Sequence, residues 1–154
     1  MTRPVAPLRV LIVEDEALLA MDLEAMMEDA GHLVVAEAAS LAEVVALDVS
    51  LDPAIAFVDF QLAKGSSGLD AARFIARRWP EAVIVFVTAN PLKVPHDFAG
   101  AHGIIAKPFS RTGLLSAMNY IAEGVIDPPP VSRQPTSFVA SQACALAWAP
   151  TEAR

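Results

Sequence analysis

Five short apolar runs constrain the fold of this chain more than any other feature. Each is four to six residues long, the length of a buried strand, and most are rich in valine and isoleucine. The runs cover residues 8–13, 33–37, 54–58, 82–87 and 103–106. Most of the segments between them place apolar residues at helical spacing. Strands that alternate with helices predict an α/β protein, with a parallel sheet and helices on both faces.

The order of the strands follows from general rules of connection. Right-handed crossovers leave few topologies, and a five-stranded sheet of this size favours the flavodoxin-like order 2-1-3-4-5. The fourth helix should lie after the fourth run, where Pro91 and Pro95 interrupt the segment. Because proline lacks an amide hydrogen and fixes its own φ angle, we expect this helix to be short or irregular.

The length of 154 residues predicts one domain, followed by a tail. We assign residues 1–126 to the domain and residues 127–154 to the tail, which begins with the stiff break Asp127-Pro128-Pro129-Pro130. The tail is too short for a common DNA-binding domain. Disorder is one interpretation, and docking on an apolar surface of this protein or of a partner is the other. Its candidate anchors are Phe138, Val139, Leu146 and Trp148.

Composition excludes several functional classes. The net charge of −7, with no basic run, argues against nucleic-acid binding. No apolar run is long enough to cross a membrane, and the start of the chain lacks a signal sequence. The single cysteine, Cys144, fits a reducing compartment, so we expect a cytoplasmic protein. Three dispersed histidines, His32, His96 and His102, are interpreted as surface residues.

Polar side chains follow four of the five predicted strands. Glu14-Asp15 follow the first run, Asp59 the third, Thr88 the fourth and Lys107 the fifth. Because parallel strands bring their carboxyl ends to one edge of the sheet, we expect these side chains to converge. A lone acid at a strand end is usually a turn residue, but four such signals indicate a site.

The convergent side chains have a common chemistry. Three carboxylates close together repel one another and require a cation, and oxygen ligands suit Mg²⁺. A lysine and a hydroxyl would stabilise the charge of a phosphoryl group in transfer. One of the carboxylates can act as a nucleophile and form an acyl phosphate.

At these residues the sequence resembles the receiver domain of two-component response regulators. Glu14-Asp15 are similar to the acidic pair of that family, Asp59 to its phosphorylated aspartate and Thr88 to its hydroxyl residue, while Lys107-Pro108-Phe109 are similar to its lysine motif. The resemblance covers roughly residues 8–125. Each motif is weak alone, but four motifs in the right order, each closing a strand, are specific.

The resemblance implies a role for each acidic residue. Asp59 would accept a phosphoryl group from a phosphohistidine on a sensor kinase or a histidine phosphotransfer protein. Asp15, Asp59 and the backbone carbonyl of Gln61 would bind Mg²⁺ directly, and Glu14 would contribute through water.

The resemblance also implies roles for residues around the phosphoryl group. Lys107 would pair with Asp59 and then with a phosphoryl oxygen, and Thr88 would move its hydroxyl to the phosphate. Gln61 and Asn90 occupy positions that modulate hydrolysis of the acyl phosphate. The bond before Pro108 is expected to be cis.

One departure from the family concerns the output. The family places an aromatic switch residue three positions before the lysine, where this chain has Ile104. A rotating aromatic ring therefore cannot report phosphorylation here.

The main functional prediction is a stand-alone receiver that is not an enzyme and acts through protein contacts. Its downstream partner is undetermined, and a homodimer is left open. The alternative is a Mg²⁺-dependent phosphohydrolase with an aspartyl-phosphate intermediate. Such enzymes carry a second acid two residues after the nucleophile, where this chain has Gln61. A nucleotide-binding module lacks support, because no glycine-rich loop follows the first strand.

Overall fold

A central sheet organises the computed structural model, which describes residues 7–62 and 65–150. Within that part of the chain the strands are β1 Arg9–Val13, β2 Leu33–Ala38, β3 Ile55–Asp59, β4 Val83–Thr88, β5 Gly103–Ala106 and β6 Val139–Ala140. The helices are α1 Ala17–Asp29, α2 Leu41–Val45, α3 Gly68–Arg78, α4 Arg111–Ile126 and α5 Gln142–Ala147. None of these helices combines the length and the apolar character that crossing a membrane would require.

The strand order is β2-β1-β3-β4-β5-β6. The first five strands are parallel, which confirms the predicted α/β fold and the predicted order. The sixth strand was not predicted. It pairs antiparallel with β5 over two residue pairs, Gly103 with Ala140 and Ile104 with Val139.

Two apolar layers lie on opposite faces of the sheet, because successive strand residues point to opposite sides. In β1, Val10 and Ile12 belong to the layer that packs with α1, α4 and the C-terminal segment. Leu11 and Val13 belong to the other layer, which packs with α2 and α3. The site at the carboxyl edge is therefore built on strands that are buried from both sides.

Serine side chains begin four of the helices. Ser40 Oγ accepts a hydrogen bond from Glu43 N, as its capping-box sequence predicts, and Ser67, Ser110 and Ser141 cap α3, α4 and α5 in the same way. These caps satisfy amides that the helix itself leaves without an acceptor.

Two short 3₁₀ turns replace a regular helix between β4 and β5, as the prolines predict. They cover Pro91–Lys93 and Phe98–Gly100. Phe98 and Ala99 have φ angles of 56° and 50°, in the left-handed region that favours glycine. The chain therefore turns sharply here and does not continue as a helix.

The C-terminal segment, residues 131–150, lies against β5 and α4. Phe138 and Trp148 are 1% and 7% exposed and belong to the same apolar layer as α4. Leu146, a third candidate anchor, is 73% exposed and faces solvent. The division of the chain at residue 126 stays a prediction, and its two ends, residues 1–6 and 151–154, lie outside the described residues.

The interpretation of His32 as a surface residue is wrong, and His102 is partly buried. His32 is buried, and its Nδ1 accepts a hydrogen bond from Leu8 N at 3.1 Å. His102 Nδ1 accepts one from Ile84 N at 3.2 Å. Burial lowers the pKa of both imidazoles, so the neutral ring is favoured. Both histidines act as structural acceptors for backbone amides beside the sheet, whereas His96 is exposed.

Candidate functional site

The carboxyl edge of the sheet brings the predicted site residues together. Asp59 and Thr88 are the last residues of β3 and β4, while Glu14 and Lys107 directly follow β1 and β5. In the register of the sheet, Asp59 lies opposite Val87, one residue before Thr88. The order of the strands thus places residues that are far apart in sequence at one edge.

Three acidic side chains form the centre of the site. Glu14, Asp15 and Asp59 each offer a carboxylate oxygen, and these oxygens all lie within 4.8 Å of one another. Glu14 and Asp59 are buried, and Asp15 is partly exposed. Because buried like charges repel, the group is stabilised by a cation, and oxygen donors suit a hard divalent ion such as Mg²⁺.

Lys107 supplies a fixed positive charge to this group. Its Nζ donates to Glu14 Oε1 at 3.0 Å and to Asp59 Oδ2 at 3.2 Å, and it lies 3.8 Å from Glu16 Oε1. The side chain is 15% exposed, so water screens these pairs only in part. The sequence predicted the pair with Asp59, but not the shorter contact with Glu14 or the approach to Glu16.

The protonation of Glu14 and Lys107 reflects this crowding. The net pKa of Glu14 is raised to about 7, because burial first and nearby Asp59 second outweigh the hydrogen bonds from Glu16 N and Lys107, which lower it. For Lys107, burial alone lowers the pKa, but the hydrogen bond to Glu14 and the charges of Asp59 and Glu14 outweigh it, so the net shift is upward. Lys107 therefore stays charged, and Glu14 holds its proton more tightly than a solvated glutamate.

Both carboxylate oxygens of Asp59 are held by hydrogen bonds. Oδ2 accepts from Lys107, and Oδ1 accepts from the backbone amide of Gln61 at 3.0 Å. The side chain is therefore oriented by a turn of its own chain and by a residue from the end of the sheet. A carboxylate held in this way has a defined face for attack on phosphorus.

Gly68 shapes the backbone behind Asp59, a role that sequence reasoning missed. Its amide donates to Phe60 O at 3.0 Å, and a Cβ atom at this position would overlap the backbone carbonyl of Asp59. Only glycine allows α3 to begin this close to the end of β3. A glycine at the first position of a predicted helix, after Ser66-Ser67, was the available signal.

Thr88 is almost completely buried beside the acidic group. Its Oγ1 accepts a hydrogen bond from Asn90 N at 3.0 Å. A hydroxyl that accepts one hydrogen bond still carries its own proton to donate.

Ile104, at the position where the family has an aromatic switch, is buried in β5. It pairs with Phe86 of β4 on one side and with Val139 of β6 on the other. The tail strand thus borders the position from which the family ordinarily signals.

Comparisons with known proteins agree with this geometry. The response regulator receiver domain family matches residues 10–119. The Phyllosphere-induced regulator PhyR of Methylorubrum extorquens is 41% identical over 71% of this chain and 42% of PhyR. The chemotaxis protein CheY of Thermotoga maritima is 31% identical over 75% of this chain and 98% of CheY.

A solved structure extends the comparison to the fold. The receiver domain of Erythrobacter litoralis PhyR, a solution NMR structure, has a TM-score of 0.67 and 28% identity, and the match covers 82% of this chain and 98% of that domain. This chain spans only about half the length of the first curated relatives it matches, PhyR and PdtaR. These relatives are named as regulators or as a chemotaxis protein, which are signalling proteins and not enzymes. The family match over most of the chain, on a receiver fold, shows that this protein belongs to the response regulator receiver domain family of two-component signalling.

Proposed function

We propose that this protein accepts a phosphoryl group on Asp59 and passes the signal on through protein contacts. The observation that carries the proposal is the arrangement around Asp59. Two further carboxylates lie within 4.8 Å of it, and Lys107 donates to its Oδ2 at 3.2 Å. A buried nucleophile beside a fixed cation and a divalent-ion site is suited to phosphoryl transfer.

In the proposed reaction, a carboxylate oxygen of Asp59 attacks the phosphorus of a phosphohistidine. The new O–P bond forms as the N–P bond breaks, and the imidazole leaves and takes up a proton, so that Asp59 carries an acyl phosphate. Lys107 then pairs with a phosphoryl oxygen in place of Asp59 Oδ2. Thr88, whose hydroxyl retains its proton, donates to another phosphoryl oxygen. Water later hydrolyses the acyl phosphate.

The metal site of the proposal uses the acidic group. Asp15, Asp59 and the carbonyl of Gln61 would hold Mg²⁺ directly, and Glu14 would contribute through water. The ion, when bound, neutralises the carboxylates and offsets the negative charge of the incoming phosphoryl group. The raised pKa of Glu14 fits this arrangement, because its proton occupies a position where positive charge is favourable.

The proposed phosphodonor is a histidine kinase or a histidine phosphotransfer protein in the cytoplasm. A cavity of about 440 Å³ beside the site supports a protein donor. Lys107 and Phe109 line it on one side, and Leu19, Asp22 and Met26 of α1 on the other. An apolar cleft with an acidic rim, next to the nucleophile, is a surface on which a protein can dock.

Phosphorylation with a small donor tests the nucleophile. Incubation with Mg²⁺ and acetyl phosphate should add one phosphoryl group that is stable in acid and labile in base, detected by intact-mass spectrometry. Asp59→Asn should abolish this addition. Asp70→Asn is the matched control, because its carboxylate lies exposed on α3 and pairs with Arg73 at 4.0 Å. Equal labelling of the Asp59→Asn protein would refute the assignment, and rapid turnover of many equivalents of donor would favour the phosphohydrolase instead.

A further inference from the structure

The C-terminal segment contacts the protein as a ligand contacts a binding surface. Its two buried aromatic rings lie where the opposing residues have no side chain. Phe138 packs on Gly103 of β5, and a Cβ atom there would overlap its ring. Trp148 packs on Gly124 of α4, and a Cβ atom there would lie 2.5 Å from its Cε2. The two glycines therefore leave the room on the surface that these two rings occupy.

Backbone hydrogen bonding adds a second form of recognition. The segment extends the sheet at the edge of β5 as the two-residue strand β6, and Ser141 N donates to His102 O at 2.9 Å just beyond it. Pairing of an extended segment with an exposed sheet edge is a common mode of peptide binding. The ladder is short, so its contribution is small and the aromatic anchors dominate the contact.

The segment is electrically neutral, which indicates what else fits the surface. Residues 134–150 contain no Asp, Glu, Lys, Arg or His, in a chain with a net charge of −7. The surface beneath the rings is also apolar, formed by Ala117, Tyr120 and Ile121 of α4 together with β5. A neutral, apolar surface of this kind does not select a charged partner. The segment of this chain already fits the surface, and every copy of this protein carries that segment.

A stiff connector joins the segment to α4. It begins with Asp127-Pro128-Pro129-Pro130, and Ser132 is held to Glu123 by hydrogen bonds of 2.7 Å from its amide and its hydroxyl. A short connector between a domain and the segment that docks on it is the element that changes conformation when two copies exchange that segment.

We infer that residues 134–148 are an exchangeable ligand of the surface formed by β5 and α4, and that the alternative occupant of this surface is the same segment of a second copy. In the closed protein the segment has an effective local concentration of roughly millimolar, so closure within one chain prevails at micromolar protein. Exchange between copies occurs when the segment is released from its own domain. This inference is independent of the phosphorylation proposed for Asp59.

Two complementary variants test the exchange. One carries Gly103→Ala with Gly124→Ala, which blocks the surface and leaves the segment intact. The other carries Phe138→Ala with Trp148→Ala, which removes the anchors and leaves the surface intact. Each variant alone should be an open monomer. An equimolar mixture should form a one-to-one complex with twice the mass of a single chain, measured by light scattering after size-exclusion chromatography.

Tryptophan fluorescence gives an independent reading. The chain has two tryptophans, and only the surface-blocked variant retains Trp148. A soluble quencher should reach Trp148 in that variant alone and lose access after mixing. The matched control is Gly113→Ala, another glycine of α4, where a Cβ atom would meet the Ser110 side chain at 3.0 Å and Ser137 Cβ at 3.4 Å. This control should stay closed, with Trp148 shielded.

The possible outcomes are decisive. Absence of a complex in the mixture, with Trp148 open to quencher, would overturn exchange between copies and leave another protein as the occupant. Shielding of Trp148 in the surface-blocked variant alone would also refute the inference, because the glycines would then not form the binding surface. If that variant does not fold, a fluorescent peptide of residues 134–148 replaces it. The peptide should bind the anchor-free variant and not the wild type, and failure to bind would refute the inference.

Discussion

Phe138 and Trp148 should stabilise the protein as one cooperative unit. Both are buried, and their rings stack with centroids 6.3 Å apart, in contact with Tyr120. If either anchor is removed, the other must hold a two-residue strand and a short helix alone. We therefore expect Phe138→Ala and Trp148→Ala each to release the segment, and the double variant to lose little more stability than the worse single variant.

The expected losses of stability distinguish one cooperative unit from two independent contacts. Truncation of a buried Phe or Trp to Ala typically costs about 3–5 kcal/mol. Two independent losses would sum to about 6–10 kcal/mol, comparable to the whole stability of a typical domain, about 5–15 kcal/mol. Release of the segment limits the loss to its docking free energy. That energy is less than the sum of the two truncations, because ordering the backbone costs about 1–2 kcal/mol per residue and offsets part of the apolar burial. The double variant should therefore lie within about 1 kcal/mol of the worse single variant.

Urea unfolding, followed by circular dichroism, measures the four free energies of the cycle. The control cycle combines Trp148→Ala with Ile75→Val, which is buried in the opposite apolar layer and should cost about 0.5–1.5 kcal/mol. Those two losses should add, because the sites share no contact. Additive losses for Phe138 and Trp148 would refute the cooperative unit.

Three further predictions concern the site and the pH dependence of stability. Mg²⁺ at about ten times its Kd should raise the free energy of unfolding by about 1.4 kcal/mol, which a higher Tm would show. Asp15→Asn should remove most of that gain. An unchanged wild-type Tm at millimolar Mg²⁺ would contradict the metal site. The pKa of His102 is lowered in the folded protein, so the unfolded state binds more protons as the pH falls. The contribution of His102 to the free energy of unfolding is therefore complete above pH 6.5. Below pH 6.5 this contribution declines by at most about 1.4 kcal/mol per pH unit. His102→Gln should flatten the unfolding free energy between pH 6.5 and 5 relative to wild type, whereas parallel curves would show that this imidazole does not contribute. Gly68→Ala should slow labelling of Asp59 by acetyl phosphate and destabilise the protein by about 1–3 kcal/mol, because its Cβ overlaps the Asp59 carbonyl. Gly113→Ala should label at the wild-type rate, because its Cβ would meet side-chain atoms of Ser110 and Ser137 at 3.0 Å or more and none of the site.

Local signals in the sequence determined the elements that position the site. Runs such as residues 54–58 and 82–87 are apolar and contain β-branched residues, and such residues favour a buried strand whatever lies beside it. Ser40 and Glu43 marked the start of α2 because a helix cap involves only neighbours in sequence. The alternation of strands and helices then left few topologies, and the parallel order brought Glu14, Asp59 and Lys107 to one edge, where the structure shows them in contact. Their roles in phosphoryl transfer stay proposals.

Tertiary packing decided the features that depend on distant partners. Val139–Ala140 has no strand signal of its own, and it is a strand because the edge of β5 offers unpaired amides and carbonyls. Gly103 and Gly124 contact aromatic rings only because the fold places β5 beside Phe138 and α4 beside Trp148. His102 is a partly buried acceptor only because the register of the sheet presents Ile84 N to it. Periodicity and propensity indicate which secondary structure a residue favours together with its neighbours in sequence. These contacts instead arise from the packing of elements that lie far apart along the chain.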